Sequence, residues 1–136
     1  MASVPTIVYV VDDDFGVLGS LRFLLETDGF EVRTFRNGAA LLDAVVENHV
    51  DCIVIDYKMP TMNGIELAKK LRARRVEAPI VLITGYPDES ISTRAAASGV
   101  YHVVLKPHLE DSLVSHIRGA MQEGGQGSAG TDRGLR

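Results

Sequence analysis

Val8-Tyr9-Val10-Val11-Asp12-Asp13-Asp14 and Val54-Ile55-Asp56-Tyr57-Lys58-Met59-Pro60 decide the fold. Each is a β-branched apolar run that stops at carboxylates. A run that is apolar at consecutive positions reads as a strand buried on both faces, the pattern of a parallel sheet. The carboxylates then stand where the strand leaves the sheet. In open α/β sheets that carboxyl edge is where ligands bind. Two more runs end in polar groups: Ile80-Val81-Leu82-Ile83-Thr84-Gly85 and Val103-Val104-Leu105-Lys106-Pro107. Asp12, Asp13 and Asp56, the hydroxyl of Thr84 and the amine of Lys106 are thereby expected at one edge.

Outward from these runs, strand and helix alternate five times. Strands are predicted at 7–11, 31–35, 52–55, 80–84 and 102–105. Helices are predicted at 15–27, 37–47, 64–74, 88–97 and 110–121. The first helix places Val17, Leu21, Leu24 and Leu25 on one face, a spacing near the helical period. The last does so with Leu113, Ile117, Ala120 and Met121. Asp28-Gly29 and Ser98-Gly99 supply helix ends that accept a left-handed residue. Alternating β and α units with short connections predict a doubly wound α/β fold, a parallel sheet with helices on both faces. The second strand is the most polar and belongs at an edge, which favours the flavodoxin-like order 2-1-3-4-5.

A chain of 136 residues fits one domain. Hydrophobic residues make up 46%, enough for a core. The net charge of -4 gives no basic footprint for nucleic acid. Cys52 is the single cysteine, which excludes an internal disulfide and suits a reducing cytoplasm. The first residues lack the pattern of a signal peptide, and no run reaches the roughly 18 apolar residues of a membrane span. Cytoplasmic location is the expectation. Residues 122–136 hold five of the thirteen glycines, and Leu135 is their only large aliphatic residue. They are expected to form a flexible tail beyond a folded domain at 1–121.

The chemistry follows from the residue types. Three carboxylates close together repel unless a cation lies among them. Carboxylates, a carbonyl and waters are the hard oxygen donors that Mg²⁺ prefers. Lys106 adds a positive charge beside them, and the Thr84 hydroxyl can bond a phosphoryl oxygen. Asp14 reads as an ordinary helix N-cap. Asp12-Asp13 alone would also suit a solvated turn; Asp56, Thr84 and Lys106 at the matching strand ends argue for a site. Cys52 reads as core. His49, His102, His108 and His116 show no metal-ligand spacing.

Asp12-Asp13, then Asp-x-x-Met-Pro-x-Met-x-Gly over residues 56–64, then Thr84-Gly85, then Lys106-Pro107, in this order and spacing, resembles the receiver domain of bacterial two-component response regulators. The resemblance covers residues 5–121 and implies a CheY-like fold. Ile83-Thr84-Gly85 is similar to the nitrogen-fixation type of receiver, whose usual helix-turn-helix output domain is not found in this sequence. Position by position, the resemblance implies that Asp56 accepts a phosphoryl group and that Asp12 and Asp13 hold Mg²⁺. Mn²⁺ is the expected substitute. The Lys58 carbonyl would be a further metal ligand, Thr84 would meet the phosphoryl group, and Lys106 would pair with it. Met59-Pro60 and Gly64 match the loop that shapes the site, and Pro107 matches a proline usually seen as a cis peptide.

The implied partners are a sensor histidine kinase as phosphodonor and an unidentified downstream protein. Many receivers pair through the fourth helix, fifth strand and fifth helix, so a homodimer through that face is a further implication. A single-domain receiver of this kind would be no metabolic enzyme; it would assist only its own phosphorylation and dephosphorylation. Lys58 and Tyr86, at the mouth of the site, imply a slowly decaying phosphoryl group. The sequence departs from the pattern at Val103, where receivers commonly carry Tyr or Phe; Tyr101, on the same strand face, is the candidate substitute, and His108 stands where Phe is frequent. Three other readings fit less well. A degenerate receiver that only binds partners would not need the full acid, hydroxyl and lysine set. An aspartyl phosphatase would need an acid where Lys58 stands. A nucleotide or flavin carrier would need a glycine-rich phosphate loop, which this sequence lacks.

Overall fold

The computed structural model describes residues 4–85, 88–106 and 109–125. In chain order its elements are β1 (Ile7–Val11), α1 (Phe15–Thr27), β2 (Glu31–Phe35), α2 (Gly38–Glu47), β3 (Cys52–Asp56), α3 (Gly64–Ala73), β4 (Ile80–Thr84), α4 (Glu89–Ala97), β5 (His102–Leu105) and α5 (Leu109–Gly125). All strand pairs are parallel, and the sheet order is β2-β1-β3-β4-β5. The polar second strand therefore lies at an edge, as its composition requires.

Alternate strand residues supply two cores. Tyr9, Val11, Ile53, Ile55, Ile80 and Leu82 face one side, against α2, α3 and α4. Val8, Val10, Cys52, Val54, Val81, Ile83 and Val104 face the other, against Leu18, Leu21 and Leu25 of α1 and Leu113, Ile117 and Ala120 of α5. Each large side chain buried in this way contributes about 1.5–3 kcal/mol. Cys52 is one of these core residues, and burial pushes its thiol up to about 12. On α1 the buried stripe centres on Leu18 as well as Leu21 and Leu25, while Val17 and Leu24 pack at its margin.

Local chemistry sets the helix starts. Asp14, Asn37, Asn63 and Asp88 cap α1 to α4, each accepting from backbone N–H groups of the first turn. Such caps are worth ~1 kcal/mol each. Asn37 and Asp88 therefore lie just outside their helices rather than within them. At the other ends Gly29 and Gly99 take φ of 95° and 87°, the left-handed conformation their positions predict. The last helix runs on to Gly125, past Met121, so residues 122–125 of the expected tail are helical. The remainder, 126–136, lies outside the described residues.

Arg72 ties the far end of the sheet together. Its guanidinium donates to the carbonyls of Val76 and Ala78 at 2.6 and 2.9 Å, and to that of Gly99 at 2.6 and 3.2 Å. One side chain thus fixes the connection into β4 and the end of α4. Arg118 makes a comparable tie on the other face, pairing with Asp28 and stacking over Phe30.

Two substitutions test this packing. At Gly64, an added Cβ would lie 2.5 Å from Leu82 Cδ1 and 2.7 Å from the Asp56 carbonyl oxygen. Gly64→Ala should cost about 2 kcal/mol in urea unfolding, because backbone cannot yield as a side chain does. Tyr9 is fully buried, and its hydroxyl has no hydrogen-bond partner among the described residues. Tyr9→Phe should therefore match or exceed the parent in stability, by up to about 1 kcal/mol. A clear loss would show that the hydroxyl is satisfied.

Candidate functional site

The pairing of β1 with β3 sets Val11 beside Ile55, so Asp12 and Asp56 follow on adjacent strands. Asp56 is the last residue of β3 and is aligned with Ile83. Thr84 closes β4 and is aligned with Leu105, after which comes Lys106. Register alone thus delivers one polar group per strand to the same edge. Asp12, Asp56 and Thr84 are buried there. Asp13 is exposed.

Asp12, Asp13 and Asp56 each offer an oxygen, and these oxygens lie within 4.8 Å of one another. Lys106 Nζ meets Asp56 Oδ1 at 3.0 Å. The Asp14 N–H donates to Asp12 Oδ1 at 2.9 Å, whereas Asp12 Oδ2 is buried without a partner among the described residues. Above the cluster opens a cavity of about 600 Å³, lined by Asp12, Asp13, Asp14, Asp56, Lys58, Gly85 and Lys106. The orphaned oxygen and the hard donor set fit a divalent cation such as Mg²⁺.

Electrostatics agree with this geometry. Burial raises the Asp12 carboxyl to about 6, helped by the charge on Asp56 and opposed by the Asp14 hydrogen bond. Burial also raises Asp56, with Asp13 and Asp14 adding to it, and outweighs the hydrogen bond and charge of Lys106. Burial alone would lower Lys106, but its hydrogen bond to Asp56 and the charges of Asp56, Asp12 and Asp13 hold it above the usual lysine value.

The cavity brings together Asp12, Asp13, Asp56, Lys58 and Lys106, with Thr84 buried at the end of the neighbouring strand. Pro107, its peptide geometry, His108 and Tyr86 lie outside the described residues. Val103 is half-buried against the core on the α4 side. Tyr101 is 39% exposed, and its N–H bonds the Ile80 carbonyl at the opposite end of the strand pair from Thr84. Its ring tilts against His102. His102 and His116 stack at 4.0 Å between strand and helix, and His49 pairs with Asp51.

One contact near the site has no signal in the sequence. Arg94 of α4 donates to the Tyr57 hydroxyl at 3.2 Å and lies 5.9 Å from the centre of its ring. The partners are 37 residues apart, so no helical or strand period relates them. In the loop after Tyr57, Thr61 adopts φ of 74°, a region that β-branched residues avoid.

A five-stranded parallel sheet with an acidic, lysine-paired cavity at its carboxyl edge defines a phosphorelay receiver class, and the comparisons agree. Residues 8–118 match the response regulator receiver domain, and the chain belongs to that family. It is 36% identical over 116 residues to the transcriptional regulatory protein FixJ of Bradyrhizobium diazoefficiens, covering 85% of this chain and 57% of that protein. It is 32% identical over 117 residues to the response regulator protein TmoT of Ectopseudomonas mendocina, covering 86% of this chain and 53% of that protein. The chain thus spans little more than half the length of these relatives. Among solved structures, full-length FixJ from B. japonicum superposes with a TM-score of 0.82 at 34% identity, over 90% of this chain and 60% of that one. A CheY-like receiver domain protein from Methanospirillum hungatei JF-1 gives 0.84 at 25% identity, over 90% and 98%.

The strained protonation of Asp12 yields a stability test. Its folded carboxyl titrates near 6 and its ordinary value is 3.8. Between those values the folded state binds more protons, so stability falls as pH rises through that window. In chelator at pH 7, Asp12→Asn should raise the unfolding free energy by on the order of 2 kcal/mol. It should also flatten the pH profile between about 4 and 6. Identical profiles for the two proteins would exclude a raised Asp12.

Proposed function

We propose that this receiver accepts a phosphoryl group on Asp56 from the phosphohistidine of a sensor histidine kinase. The observation that carries the reading is the Asp56 carboxylate itself. It is 3% exposed, held by Lys106 at 3.0 Å, and beside a cavity large enough for a phosphoryl group. An Asp56 oxygen attacks phosphorus in line, the bond from phosphorus to the donor imidazole breaks, and the imidazole leaves with the bonding pair. Lys106 neutralises charge on the transferred group and Thr84 offers a hydroxyl to one of its oxygens. Asp12, Asp13, Asp56 and the Lys58 carbonyl are the residues that would hold Mg²⁺, or Mn²⁺ in its place. The bound cation supplies charge screening between carboxylates and phosphoryl oxygens.

The acyl phosphate then biases a two-state equilibrium that a partner protein reads by contact. On this reading the chain turns over no metabolite, acts in the cytoplasm and needs no nucleic acid or membrane contact of its own. Among the described residues no helix is long and apolar enough to cross a membrane, which is compatible with that placement. The receiver body would take in β1 to α5, the last helix reaching Gly125. A homodimer would use α4, β5 and α5, where the exposed residues of α4 include Ser90, Ser92, Thr93, Ala96 and Ala97; Ala95 belongs to the core instead. Lys58 lines the cavity, which supports a role with Tyr86 in slowing hydrolysis by obstructing water.

Incubation with acetyl phosphate and Mg²⁺ followed by intact mass tests the assignment. The parent protein should gain one phosphoryl group, and chelator should abolish the gain. Asp56→Asn should remain folded and gain none. A variant that is still labelled at the parental rate would move the acceptor elsewhere.

A further inference from the structure

We infer that the contact between Tyr57 and Arg94 couples the state of Asp56 to helix α4. The inference rests on the reading of Asp56 as phosphoacceptor and adds a route out of the site. Tyr57 is covalently next to Asp56. Its N–H donates to the Ile83 carbonyl at 2.8 Å, and that carbonyl belongs to the peptide leading into Thr84. Its own carbonyl accepts from the Gly64 N–H at 2.8 Å. The Tyr57 backbone is therefore tied to both strand ends that face the acceptor and to the start of α3. A group added at Asp56 brings charge and bulk to a buried corner, and any shift of either strand end is a shift of Tyr57.

The Tyr57 side chain carries that shift outward. Its ring packs at the margin of the core that holds Ile91 and Ala95 of α4. Its hydroxyl and ring face both meet the Arg94 guanidinium, a hydrogen bond combined with a cation–π contact. Arg94 also donates to the Ser90 carbonyl one turn earlier, so the guanidinium grips the helix that carries it. Helix α4 is lightly held in return: Ile91 and Ala95 are its buried residues, against five for α3. A weakly packed element is the one a small displacement moves. Val103 supplies no aromatic on this side of β5; among the described residues the ring of Tyr57 reaches from the end of the acceptor strand to α4.

The test pairs intact mass with amide NMR of Glu89–Ala97, before and after acetyl phosphate with Mg²⁺, for the parent, Arg94→Ala, Tyr57→Phe and Thr93→Ala. The parent and Thr93→Ala should gain the phosphoryl mass and show the same α4 shifts. Arg94→Ala should gain the mass equally, with α4 shifts reduced to about half or less of the parental change. Tyr57→Phe keeps the ring and loses the hydroxyl, so it should fall between. Full mass gain with undiminished α4 shifts in Arg94→Ala overturns the coupling and leaves the acceptor reading intact. Absence of mass gain in the parent overturns the acceptor reading and the coupling together.

Discussion

The structure turns on carboxylates that parallel pairing forces into one corner, two of them buried. Once β1 lies beside β3 in this register, Asp12 and Asp56 end adjacent strands with Asp13 close by. Burial and like charge both oppose ionisation there, and one lysine offsets only part of that cost. The corner is unfavourable for folding, and its hard oxygen donors fit a divalent cation. Sites that place such groups together accept a stability cost for function. The apolar strands on both sides of the sheet are what let the domain bear that cost.

Much of the fold was legible because its signals are local. Consecutive β-branched residues have no polar face, so β1, β3 and β4 had to be interior strands. Asp14 was readable as the cap of α1, and the starts of the next three helices fell within a residue of their places, although the structure shows Asn37, Asn63 and Asp88 to be caps as well. The end of α5 was not legible in the same way. Glycine content argued for a stop at Met121, but a helix already nucleated and packed can continue through a few weak formers to Gly125. The burial of Leu18 was missed for a related reason: the apolar stripe on α1 is broad, and the sheet decides which edge of it is covered.

At the site, residues that end strands were readable from sequence, since register carries them to a common edge. Contacts made across the fold were not. The stack of His102 on His116, the ties made by Arg72, and the meeting of Tyr57 with Arg94 depend on how helices settle on the sheet. Tyr101 shows the converse. It shares a strand face with Val103, yet its place at the amino-terminal end of β5 sets it on the rim, 39% exposed. Period-two alternation fixes the face of a residue and leaves its depth undecided.

The Arg72 clamp has a mechanical consequence. By holding the Gly99 carbonyl with two N–H groups, it rivets the carboxyl-terminal end of α4 to the far side of the molecule. The amino-terminal end of the same helix follows the β4 connection at the acidic edge. A helix of nine residues is a rod of about 13 Å, pinned at one end. Any motion of such a rod would be a swing rather than a slide. Its fulcrum would lie at Gly99, with displacement smallest there and growing toward Asp88. A partner that grips the first turn of α4 would feel the full stroke, whereas one that grips the last turn would feel almost none.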